Sequence, residues 1–157
     1  MRLIQKLLLV VLALLAALTL WYYVGGALSA RVTTASAQAS DYASAFQAAA
    51  AIVRSGAAHQ VFDAAGLDAP DGYQLLDINI SLKNNGLFAA EWLELVVSPG
   101  AGDAAVYSVS GLGGDVSPFG TGNLNLKLIT TDVGAARTAT ISYYVLGMRR
   151  SVTVPLQ

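Results

Sequence analysis

The spacing of apolar positions changes along this chain, and each change marks an element. Leu7 to Val24 read LLLVVLALLAALTLWYYV, eighteen positions without a charge, and Gly25, Gly26, Ala27 and Leu28 prolong the run. A helix of that length covers roughly 27–33 Å, about the hydrocarbon thickness of a bilayer. Lys6 closes the run on one side and Arg31 lies beyond it on the other. Leu7 and Leu14 belong to its body. Trp21, Tyr22 and Tyr23 gather at its C-terminal end, where amphipathic rings favour the headgroup layer. The run is too long, and its flanks too membrane-like, for a buried core helix.

The next stretch, Ala27–Gln38, is small and polar, with Val32, Thr33 and Thr34 weakening any helix. It reads either as a continuation of the anchor helix or as a short linker. From Ser40 the period becomes helical. Ser40 is placed to cap, Asp41 falls in the first turn and Arg54 in the last turn before Gly56, charges that complement the helix dipole. Tyr42, Phe46, Ala49 and Val53 recur at i, i+4, i+7 and i+11, a single apolar face. Residues 40–65 therefore predict an alanine-rich helical segment broken near Gly56. Packing on the chain's own domain explains the Tyr42, Phe46 and Val53 face better than self-association as a stalk. Membrane-surface binding is weaker still, because the polar face has almost no Lys or Arg.

The turn cluster Asp68-Ala69-Pro70-Asp71-Gly72 ends this period, and from Tyr73 the repeat is two. Leu76, Ile78, Ile80 and Leu82 alternate with Asp77, Asn79, Ser81 and Lys83, a half-buried strand that Asn84-Asn85-Gly86 turns back. Leu93, Leu95 and Val97 give a second strand, and Ala104–Ser110 a third with weaker alternation. Asp103, ahead of it, is expected within reach of solvent. Gly111–Gly114 and Ser117–Gly120 bracket a loop or very short strand. Leu124, Leu126 and Leu128 give a fourth strand, Ile141, Tyr143 and Val145 a fifth, and Val152 and Val154 a sixth across a turn at Gly147. Six or seven short antiparallel strands at this spacing predict a β-sandwich. The expected fold is mainly β with N-terminal helices: a cytoplasmic tail over 1–6, a transmembrane helix over 7–28, linker and alanine-rich helical stalk over 29–72, and a sandwich over 73–157.

The stretch INISLKNNG followed by AEWLELVV resembles the opening of several secreted immunoglobulin-like families. Val116-Ser117-Pro118-Phe119-Gly120-Thr121-Gly122 is similar to their mid-domain turn. By this pattern the chain resembles the late-embryogenesis-abundant type 2 domain and the cell-adhesion-related domain of bacteria and archaea. The resemblance covers residues 73–157, and it implies a non-enzymatic immunoglobulin-like sandwich.

Charge narrows the function. Of the nine Lys and Arg, Arg2 and Lys6 precede the apolar run, and the remaining seven stand against ten Asp and Glu. A slightly acidic, sparsely charged surface argues against nucleic acid. With no cysteine, disulfides, thiolate chemistry and a lipoprotein anchor are excluded. Arg2 and Lys6 place the short N-terminal side in the cytoplasm and the rest outside. A cleaved signal is the lesser alternative: the apolar core exceeds the usual length, and the best small-x-small match, Ala35-Ser36-Ala37, lies far past Val24.

Candidate chemistry is thin. His59 stands four before Asp63 on an expected helix, a two-ligand spacing that lacks further donors for a metal. Asp63, Asp68 and Asp71 match no calcium-loop spacing, and turn chemistry explains Asp71-Gly72. Glu91 and Glu94 flank Trp92, but three apart on a regular strand they point to opposite faces, unlike a glycosidase pair. Gly111–Gly114 lacks the Lys-Ser/Thr of a phosphate loop. No catalytic residue, cofactor or metal is expected. Asn79-Ile80-Ser81 is a glycosylation sequon with Asn79 on the polar face of its strand. The expected partners are membrane lipid, through the N-terminal helix, and other proteins or further copies of the chain. The expectation is a single-pass, extracytoplasmic structural or protein-binding sandwich at the cell surface. The alternative is a pilin-like filament subunit, against which stand the lack of a Gly before the apolar run and of a Glu within it.

Overall fold

The computed structural model describes residues 2–24 and 28–156, except the side chains of residue 2 and residues 21–24. Helix α1 spans Arg2–Val24. Strand β1 (Leu28–Gln38), helix α2 (Ala43–Arg54) and a short β2 (Gln60–Val61) follow. The remaining strands are β3 (Gln74–Asn84), β4 (Glu91–Ser98), β5 (Asp103–Ser110), β6 (Thr121–Thr130), β7 (Thr138–Val145) and β8 (Met148–Pro155). They form a five-stranded sheet, ordered β1-β3-β6-β5-β2, and a three-stranded sheet, ordered β4-β7-β8. All pairings are antiparallel. Without β2, the order is that of the seven-stranded constant-type immunoglobulin sandwich, four strands against three.

Period two decides which side chains meet. In β3 and β6 the pairs Ile78–Leu126 and Ile80–Leu124 lie on one row, and Asp77–Lys127 and Asn79–Asn125 on the other. The first row faces Leu93, Leu95, Ile141, Tyr143 and Val145 of the second sheet in one apolar core. Of the strand residues expected to be buried, only Val152 is partly exposed.

Residues 29–72 are not a linker and stalk. β1 pairs with β3 along its whole length, from Leu28 opposite Asn84 to Gln38 opposite Gln74. Ala30 and Val32 stand over Leu82 and Ile80 and pack on the core, while Ser29, Arg31 and Thr33 are exposed. The sandwich therefore begins at Leu28. α2 lies on the outward face of the five-stranded sheet. Its Phe46, Ala49, Ala50 and Val53 are buried against Ala104, Ala105, Ile129 and Leu67, where small residues on both sides let helix and sheet approach closely. The rings of Phe46 and Tyr73 sit 5.5 Å apart.

α2 starts later than Ser40 and ends sharply. Tyr42 occupies the N-cap without a side-chain capping bond, so neither Ser40 nor Asp41 plays the expected role. At the other end, Gly56 adopts φ +75°, its N–H donates to Val53, and the Ala57 N–H donates to Ile52. This is the Schellman arrangement, and glycine is the residue that tolerates its left-handed position. Residues 57–65 are not helical. They carry β2, which pairs with β5.

Asp103, expected at the surface, is buried. Its carboxylate is gripped by Arg137 through bonds of 2.8 and 3.1 Å and also accepts the Gly100 N–H at 2.7 Å. Arg137 donates in addition to the Asp132 and Val133 carbonyls, so the whole guanidinium fork ties together the loops before β5 and before β7.

Candidate functional site

The residues expected to anchor the chain come first. Every side chain from Leu3 to Leu20 is exposed, Leu7 and Leu14 included. The window Leu3–Leu20 is long and apolar enough to cross a membrane. Thr19 returns its hydroxyl to the Leu15 carbonyl at 2.7 Å, which satisfies it without water. The side chains of Trp21, Tyr22 and Tyr23 lie outside the described residues.

The expected α2 face divides. Phe46 and Val53 are buried in the domain, whereas Tyr42 is exposed. Tyr42 instead rims an open groove of about 360 Å³, with Ala35 and Ala37 of β1, Leu75 and Asp77 of β3, Tyr107 of β5 and Lys127 of β6. Asp77 accepts from the Asn125 amide and lies 3.9 Å from the Lys127 ammonium. Burial raises the Tyr107 phenol above its ordinary pKa, and the negative charge of Asp77 adds to the effect. Tyr107 therefore remains a neutral hydrogen-bonding group. Two phenols, a carboxylate and an ammonium thus stand among small, mostly apolar side chains in this groove. Asn79 is half-buried on the same outward face, opposite Thr33 on one side and Asn125 on the other.

The histidine and several of the carboxylates have partners within the fold. His59 is not on a helix with Asp63. Its Nε2 donates to the Leu95 carbonyl at 2.9 Å. The neighbouring Gln60 amide accepts from the Val97 N–H at 2.7 Å and donates to its carbonyl at 3.2 Å, as a strand neighbour would. These two side chains close part of the free edge of β4 while β2 itself pairs with the other sheet. Asp63 accepts from the Ala65 N–H in a local turn, Asp68 pairs with Arg54 at 3.0 Å, and Asp71 is exposed in the turn before β3. Among the described residues, no group of three or more His, Asp or Glu could hold a metal.

Glu91 and Glu94 do not point to opposite faces. The register of β4 shifts between them, so Glu91 stands opposite Tyr144 and Glu94 opposite Ser142, two positions on one face of β7. The extra residue of a bulge resets the alternation. Glu94 is held by Arg149 at 3.1 Å.

A further surface carries no sequence motif. Asn84, buried at the end of β3, donates to the Phe88 carbonyl at 2.7 Å and the Val116 carbonyl at 3.0 Å, and accepts the Gly86 N–H at 2.8 Å. It binds the loop after β3 to the loop before β6. Around it, Trp92, Phe119 and Leu146 adopt φ of 55°, 57° and 51°. Left-handed backbone costs a bulky residue about 1–2 kcal/mol, and all three side chains are exposed. Leu146 and Gly147 form the two-residue turn of the β7–β8 hairpin, both with positive φ. Asn-Gly is the usual choice in such a turn. A large apolar residue at a left-handed hairpin position was the one sequence signal for this surface. Compared with known proteins, the chain matches no family model and no curated sequence.

Proposed function

We propose that this chain is a single-pass membrane protein that presents its sandwich outside the cytoplasm as a structural or protein-binding module, without catalysis. The observation that carries the reading is α1: a helix whose side chains from Leu3 to Leu20 are all exposed and almost all apolar. Such a surface is stable in hydrocarbon and not in water. Arg2 and Lys6 favour a cytoplasmic N-terminus. The resemblance of residues 73–157 to late-embryogenesis-abundant type 2 and cell-adhesion-related domains supports a non-enzymatic role. The groove between Tyr42 and Tyr107 is the binding face this reading offers.

The chain has no cysteine, so a single introduced thiol reports topology. The Asp68 side chain is 94% exposed, and Asp68→Cys should react with a membrane-impermeant maleimide on intact cells. Labelling only after lysis would overturn the extracytoplasmic placement.

A second reading, a subunit of an extracellular filament, is favoured by β1. This edge strand of eleven residues carries Arg31 as its one charge, and long uncharged edges accept a neighbouring strand. Electron microscopy of sheared cell-surface material checks it: filaments bearing this protein support the subunit reading, and their absence leaves the anchored module.

A further inference from the structure

Apart from α1, the large exposed apolar side chains are concentrated at one end of the sandwich. Leu87 and Phe88 follow β3, Trp92 sits at the start of β4, Phe119 precedes β6, Leu146 lies in the β7–β8 turn and Met148 opens β8, each between 42 and 61% exposed. The pairings bring these segments together: Leu28 with Asn84, Lys83 with Thr121, Glu91 with Tyr144 and Val145 with Met148. This is also the end at which β1 begins.

Conformation sets the same tips apart. Trp92, Phe119 and Leu146 are the residues other than glycine with positive φ among the described residues, and all three belong to this group. Glycine or asparagine would fit those positions with less strain. Large apolar side chains held in solvent at a conformational penalty do nothing for the core. They are placed for contact with something else.

Chain length decides what that is. α1 ends at Val24 and β1 starts at Leu28. Four Cα steps reach at most about 14 Å. The apolar end is thus confined beside whatever holds α1. Charge differs between the ends: Asp41, Asp63, Asp68, Asp71 and Asp132 lie in the turns of the opposite end, whereas the apolar tips are flanked by Lys83, Arg149 and Arg150 as well as by Glu91 and by Asp115, which accepts the Trp92 N–H at 3.0 Å. Aromatic and basic side chains suit the headgroup layer, and Trp92 and Phe119 with Lys83, Arg149 and Arg150 supply both.

We propose that these tips, led by Trp92, Phe119 and Leu146, insert into the headgroup–acyl boundary of the bilayer that holds α1, so that the sandwich rests against the membrane. The proposal rests on the membrane-anchored reading. It assigns the membrane a second contact with the protein and fixes which end of the sandwich, with its acidic turns, faces away.

The two tryptophans, Trp21 and Trp92, make the test direct. Full-length protein carrying Trp21→Phe is reconstituted into phosphatidylcholine–phosphatidylglycerol vesicles, leaving Trp92 to report. Its emission should shift to the blue, lose acrylamide quenching and gain quenching by lipids brominated high on the acyl chain. Adding Phe119→Asn and Leu146→Asn, which suit left-handed backbone, should return Trp92 toward solvent behaviour without unfolding the domain. A Trp92 open to acrylamide and untouched by brominated lipid overturns the proposal. So does a Trp92 shielded from acrylamide but not quenched by brominated lipid, which means that another copy of the protein covers the tips. The companion Trp92→Phe protein, in which Trp21 reports, separates the two readings. Trp21 quenched while Trp92 is not removes the docking and leaves the anchor; neither quenched removes both.

Discussion

The Tyr143 hydroxyl accepts the Leu28 N–H at 3.1 Å across 115 positions of sequence, and both residues are buried. Tyr143 lies on the inward face of β7, in the smaller sheet, and Leu28 is the first residue of β1, in the larger. The bond therefore fastens the point where the chain leaves α1 to the opposite layer of the sandwich.

Tyr143→Phe keeps the ring in the core and deletes only the acceptor. The Leu28 N–H is then buried without its partner, which costs about 1–3 kcal/mol. The melting temperature should fall accordingly. Amide exchange should accelerate at the start of β1 more than in β3. Unchanged exchange there would mean that the hydroxyl does not hold the strand.

Arg137 and Asp103 make a buried bidentate pair with side chains 1% and 0% exposed. Arg137→Met leaves a buried carboxylate without its cation and should cost about 3–5 kcal/mol. Replacing both, as Arg137→Met with Asp103→Leu, should cost less than the single change, because no uncompensated charge remains. Urea denaturation of the three proteins measures the difference. Equal losses in the single and double variants would show that the pair acts only through its contacts with Gly100, Asp132 and Val133.

Period two made β3, β4, β6 and β7 legible, since their inward rows are Leu, Ile, Val and Tyr. It did not reveal β1, whose inward positions are Ala30, Val32, Thr34 and Ser36, too small to stand out from the outward ones. β2 has only two residues, and its partners are supplied by folding rather than by pattern. The Glu91–Glu94 placement failed because a bulge is invisible to a count of alternation. For the helix, spacing located Phe46 and Val53 correctly. It misplaced Tyr42 because the N-cap, at φ −126° and ψ 47°, lies off the helical spiral, so the i, i+4 relation does not hold there. The apolar end escaped entirely: its residues are far apart in sequence and meet only once the loops are closed over Asn84.

Tyr107 gives the stability a pH dependence. Its folded pKa is raised above the ordinary 10.0, first by burial and then by Asp77. Below that value both states hold the proton, and the contribution of the neutral phenol is complete. As pH rises past about 10 the unfolded chain releases the proton before the folded one, so the folded state binds more protons and stability falls. Tyr107→Phe should lose less stability than the parent protein over that alkaline range, read from urea midpoints. Asp77→Asn should remove only the smaller part of the effect. Identical alkaline profiles for the parent and Tyr107→Phe would place the loss on other groups.

The last prediction concerns where the folded unit begins and how α2 is held. β1 supplies an entire edge of the larger sheet, paired with β3 from Leu28 to Gln38. A fragment starting at Leu28 should therefore fold as a soluble monomer, whereas one starting at Gln38 lacks the strand, uncovers the edge of β3 and should aggregate or melt far lower. Within the longer fragment, Phe46 is fully buried between α2 and the outward face of the sheet. Phe46→Ala leaves a cavity under the helix and should cost about 3–5 kcal/mol. Because the burial is within one chain, the drop in melting temperature should not change with protein concentration. A fragment that sediments as an oligomer, and that Phe46→Ala dissociates, would make α2 an assembly element and turn the balance toward the filament.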